Sequence, residues 1–189
     1  TITSAAQSAA NSLNGSSEKE TLISKGEEEL KPTEAQKVSL YTQTYLNIEA
    51  TELAKDESDN VTSITLDITP MMQVVASTAT NSADIKLDSN GDTNAVVVQD
   101  PKPLTIRTEA EITVTLPENF KSQPVFVKHE ASNGGIYFYK ATAESDGTHT
   151  FTSTHGFSPF TFSVTPFEDV AAWIGSEGYA SLEAAVSTV

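Results

Sequence analysis

A chain of 189 residues without cysteine is long enough to bury a core unaided by disulfides, and it lacks any thiolate for catalysis, zinc or an iron–sulfur cluster. Its 26 acidic residues against 11 basic ones give a formal charge of -15, which repels phosphate backbones and so excludes nucleic acid as a partner. No apolar run reaches the roughly 18 residues of a membrane span, and no basic stretch leads into an apolar core as in a signal peptide, so direct membrane insertion of this chain is not expected.

Residues 1–36 read as a helical segment. Ala5, Ala6, Ala9, Ala10 and Leu13 recur at helical spacing before the stop signal Asn14-Gly15. A second, weaker helix starts at Ser17 with Glu18 and Glu20 in its first turn, carries Leu22, Ile23 and Leu30, is interrupted by Gly26 and ends at Pro32.

From Val38 the period changes to two. Val38, Leu40, Thr42, Thr44, Leu46, Ile48 and Ala50 share one face of an extended run, and shorter strands are predicted over 61–68, 73–77, 83–87, 95–99, 104–107, 111–116, 124–130, 136–143, 149–153 and 160–164. Asn90-Gly91, Asn133-Gly134-Gly135 and Asp146-Gly147 between them supply the positive φ that tight hairpins need. Many short strands joined this way must bury their apolar faces against another sheet. The expected fold is therefore mainly β, an antiparallel β-sandwich over 37–165 with a short N-terminal helical segment and a C-terminal strand-helix tail over 166–189. Its expected core contains Leu46, Ile48, Ile64, Leu66, Ile68, Ile112, Val114, Val125, Val127 and Phe162. In the tail, 170–174 reads as a strand and 181–187 as a helix, with Trp173 as an anchor, and the segment is expected to begin a following module.

Candidate sites are few. Asp88, Asn90, Asp92 and Asn94 place oxygens at alternate positions, as a calcium loop does, but Gly91 and Gln99 stand where such a loop needs other residues, and a plain hairpin accounts for the run. No cofactor is expected. His129, His149 and His155 could in number ligate zinc, yet His129 shares a strand face with Val125 and Val127, and His149 with Phe151, so partly buried, hydrogen-bonded side chains explain them more simply. Ser158 with His155 is the nearest thing to a nucleophile and base; no nucleophile elbow surrounds it and Pro159 follows, so no catalytic residue is assigned. Tyr41, Tyr45, Tyr137 and Tyr139 are the candidate ligand-binding residues, because flat rings on a rigid β framework suit sugar faces and protein hot spots alike.

The segment from His155 to Phe160 resembles the His-Phe-Ser self-cleavage triplet of some autoproteolytic sandwich domains, with Gly156 inserted. A wider resemblance rests on Ile112–Leu116 with Pro117-Glu118-Asn119-Phe120, Val125-Phe126-Val127-Lys128-His129, Gly147, and Thr154-His155-Gly156-Phe157-Ser158-Pro159-Phe160. Over 38–164 this pattern is similar to a recurrent segment of large cell-surface proteins of Firmicutes, especially gut commensals, some of which resemble immunoglobulin-binding superantigens. The tail from Ile174 to Val186 looks like the opening of a next repeat. The resemblance implies an exported, extracellular protein attached to the bacterial surface, of which this chain, from Thr1 to Val189, reads as an interior piece. It implies a non-enzymatic module for adhesion or for binding a host protein or glycoprotein. Immunoglobulin capture is one alternative and a structural spacer another.

Overall fold

The computed structural model of the chain describes residues 17–87, 93–106 and 109–188. The first Ala-rich helix, the Asn90-Gly91 turn and Arg107 lie outside the described residues. Among those described, strands dominate, and all the registers below are antiparallel. The chain forms two compact units, one of residues 1–46 with 70–105 and one of 47–69 with 106–189.

In the first unit, helix α1 (Ser17–Leu30) covers sheet residues of β1 (Ser39–Lys55), β2 (Val61–Ser77) and β3 (Ala95–Pro103). Leu22, Val74, Ala76 and Val98 form a buried cluster, flanked by Val38, Leu40 and Val96. Gly26, which weakens the helix in isolation, is where it meets the sheet. A Cβ there would lie 2.3 Å from the Ala76 Cβ, and only a residue without one lets the two backbones approach this closely. The Lys25 ammonium donates to the Val98 carbonyl at 3.2 Å beside the contact.

Strand β2 merges two expected strands, continuing through Pro70. The ladder explains why this proline is tolerated. β2 pairs with β8 (Pro159–Ser163) from Ser63 to Asp67 and with β3 from Met71 to Ser77. Pro70 thus sits where the partner changes, and its missing N–H interrupts neither register. Its carbonyl accepts from the Leu104 N–H at 2.7 Å. The expected strand over 83–87 is absent: Ser82–Asp84 form a 3-10 turn. Here the Asn94 side chain replaces a ladder, accepting from the Lys86 N–H at 2.8 Å and donating to the Asp84 carbonyl at 2.9 Å. Residues 104–106 are likewise not a strand.

In the second unit β8 lies between β2 and β5 (Val125–Glu130), β5 pairs with β6 (Ile136–Ala143), and β4 (Ala110–Val114) pairs with β7 (His149–Ser153). The far end of β6 also pairs with β7, Thr142 against Thr150. The hairpins turn where expected, with Gly134 at φ 83° and Gly147 at φ 85°. The sheet curls, so the Phe151 ring of β7 meets Phe160 and Phe162 of β8 at 5.3 and 5.7 Å, edge to face. Leu66, Ile68, Ile112, Val114, Val125, Val127 and Phe162 are buried as expected. Large side chains of this kind contribute about 1.5–3 kcal/mol each on burial.

Leu46 and Ile64 are only half-buried, and Ile48 is 51% exposed. β1 ends the strand order, and every residue from Asn47 to Lys55 is exposed, so alternation there has no second layer to face. Glu49, Glu52 and Lys55 along that stretch discourage pairing with other chains.

The tail packs as part of this unit. Beyond Phe167, β9 (Ala172–Ile174) and β10 (Glu177–Tyr179) form a tight hairpin, and β10 pairs with β6 through Glu177 opposite Tyr139 and Gly178 opposite Phe138. Trp173 lies 5.7 Å from the Phe126 ring with the Lys140 ammonium 4.6 Å over its face, a cation–π contact. Ser181 caps the closing helix α2 (Leu182–Val186) by accepting from the Ala184 N–H. Among the described residues, no helix is long and apolar enough to cross a membrane.

Candidate functional site

The pleat of β6 sends Tyr137 and Tyr139 to the face opposite Phe138. Beside them run the loop after β7, carrying Thr154 and His155, and strand β10, carrying Glu177 and Tyr179. These elements and α2 surround a cavity of about 410 Å³, within the range that small ligands and side chains fill. Aromatic rings form part of its wall: Tyr137 stacks on the His155 imidazole with centroids 3.4 Å apart and planes 9° from parallel, beside Tyr139 and Tyr179.

The polar groups of the cavity are tied to one another. The His155 Nδ1 lies 2.8 Å from the Thr154 hydroxyl and 3.4 Å from the Tyr139 phenol. Tyr179 donates to Glu177 Oε2 at 3.0 Å. Burial raises the Tyr139 phenol above its ordinary range, and the nearby Glu177 carboxylate adds to this against opposing hydrogen bonds from Thr154 and Ser153. Among the described residues Glu177 forms no ion pair.

The four nominated tyrosines therefore divide. Tyr137 and Tyr139 line the cavity, whereas Tyr41 and Tyr45 belong to the first unit. Tyr41 donates its hydroxyl to the Ala79 carbonyl at 2.6 Å, and Tyr45 stands 41% exposed. Glu177 and Tyr179 are not among the sequence candidates, because the tail reads as the start of another module; their alternate spacing on a short strand is the available signal.

Behind Tyr137 lies His129, fully buried on β5 and stacked on Phe160 with centroids 4.2 Å apart. Its Nε2 is 2.7 Å from the Ser158 hydroxyl, so the serine is partnered by His129 and not by His155. The register explains this correction: His129 pairs with Phe160, which brings Ser158 alongside β5. Burial, and secondarily the charge on His155, lowers the His129 pKa from 6.5 to about 4. The ring is neutral at pH 7. No side chain orients its Nδ1, which is buried without a partner, so a serine–histidine relay lacks its third member among the described residues.

His149 is also fully buried, yet neither ring nitrogen has a hydrogen-bond partner, against the expectation of a bonded histidine. Among the described residues no group of three or more His, Asp or Glu side chains could hold a metal ion. Asp88, Asn90 and Asp92 lie outside the described residues. The Asn94 amide is occupied, also facing the Ser77 hydroxyl at 3.5 Å. No protein-family model matches this chain, and no curated protein or solved structure matches it either.

Proposed function

We propose that this chain is a binding module of a bacterial surface protein, holding a host protein or glycoprotein by surface complementarity without chemical turnover. One observation supports this reading above the others. The aromatic cavity between β6, β10 and the loop after β7 unites two sequence-nominated tyrosines with a carboxylate and a histidine on a rigid strand framework. Rings held on strands lose little entropy on binding, which is what an anchor pocket requires. We read the second unit as a sandwich, the β4–β7 pair facing β8 across the Phe151–Phe160–Phe162 cluster. The module's place outside the cell, on the bacterial surface, rests on the resemblance given above.

Immunoglobulin is the leading named partner, also by that resemblance. Titrating the chain against immobilised immunoglobulin and mucus glycoproteins tests the proposal. Saturable binding at micromolar concentration or tighter, weakened by Tyr137→Ala, supports it. Absence of binding to either leaves a spacer as the better account. Deleting the N-terminal segment is an unsuitable control, because removing α1 uncovers Val74, Ala76 and Val98.

A further inference from the structure

Resting on that reading, we infer that the cavity takes a cationic side chain of the partner, an arginine guanidinium, held by the Glu177 carboxylate and the neighbouring Tyr179 ring. The lining supplies what such a group needs. Tyrosine faces attract a cation through their ring quadrupoles, and a planar guanidinium can stack on a ring while its N–H groups fork onto a carboxylate. Among the described residues of the lining there is no lysine or arginine, His155 is the one basic side chain and Glu177 the one carboxylate. Its single hydrogen bond comes from the Tyr179 phenol, on Oε2, so Oε1 is free to accept. The nearest lysine on the same strand pair, Lys140, is drawn to the Trp173 ring instead.

Charge decides among ligand classes. A formal charge of -15 disfavours an anionic ligand and raises the local concentration of a basic one. A phosphate-bearing ligand would bring its charge beside the Glu177 carboxylate, to a wall whose basic side chain among the described residues is the His155 imidazole, already engaged with Thr154 and stacked on Tyr137. A neutral sugar would leave the half-buried Glu177 carboxylate without a counter-charge. Lysine fits less well than arginine because an ammonium cannot stack flat on a ring.

The experiment uses the isotope-labelled chain and acetyl-Gly-Arg-Gly-amide, followed by amide chemical shifts. The arginine peptide is expected to perturb 137–139, 154–155 and 177–180. Its citrulline counterpart, equal in shape but neutral, is expected to bind about tenfold more weakly, and Glu177→Gln to weaken the arginine peptide by a similar factor. The lysine peptide should fall between. Equal binding of arginine and citrulline, or an affinity unchanged in Glu177→Gln, overturns the inference, as does a preference for methyl glycosides at the same residues. The two proposals fail separately. Partner binding lost in Tyr137→Ala but unchanged in Glu177→Gln keeps the binding module and removes the cation, whereas arginine-peptide binding without a host partner does the reverse.

Discussion

The two buried histidines carry opposite lessons for stability. His129 must remain neutral to stay stacked on Phe160, and its pKa of about 4 lies below its ordinary 6.5. The unfolded chain therefore binds a proton that the folded chain refuses between about pH 6.5 and about pH 4, and stability is lost as pH falls through that window, by up to about 3 kcal/mol. Urea unfolding at the two ends of the window measures this loss, and His129→Gln is expected to flatten the dependence. His149 gives no such return for its burial. With both nitrogens unpaired, it bears a desolvation cost of about 1–3 kcal/mol, so His149→Leu, similar in volume, is expected to raise the urea midpoint. A lower midpoint would mean that the ring has a partner after all. Sequence alternation foretold that both residues point inward. It carried no information about Ser158 lying against His129, because that contact depends on which strand pairs with β5.

Elements show where local and tertiary preferences diverge. Helix propensity alone predicts that Gly26→Ala stabilises α1 by about 1 kcal/mol. The 2.3 Å approach to the Ala76 Cβ predicts the reverse, a loss of about 1–3 kcal/mol as helix and sheet are pushed apart. The sign of the shift in urea midpoint decides between them. At the tail, a Cβ on Gly178 would lie 2.8 Å from the Phe138 Cβ and 3.0 Å from the Trp173 ring. Gly178→Val is therefore expected to lift β10 from β6, and the single tryptophan reports it: Trp173 emission should move to the red as the ring leaves Phe126. Strands β6 and β7 were legible to the residue, since alternating side chains and Asp146-Gly147 mark both ends of their hairpin. The join of two expected strands through Pro70 was not, because a proline reads as a break until the change of partner strand is known. Ile48 misled for a related reason. Its alternation is regular, but burial depends on a covering layer that the edge at β1 lacks.

For the whole molecule, composition set the limits and long-range pairing made the site. Glu177 reaches Tyr139 only through the β6–β10 register, across a turn and several intervening strands. A tail that looked like the start of something else is thereby a wall of the cavity, and α2 with its Ser181 cap closes over it. Half of the site was visible as two tyrosines on one strand; the carboxylate and the third tyrosine required the fold. The most direct test of the binding-module account is the affinity of immunoglobulin or a mucus glycoprotein for the intact chain and for Tyr137→Ala, compared at equal folded concentration. The account predicts saturable binding that weakens by about tenfold or more in the variant, as loss of a central aromatic anchor does. Equal affinity of the two proteins would contradict it.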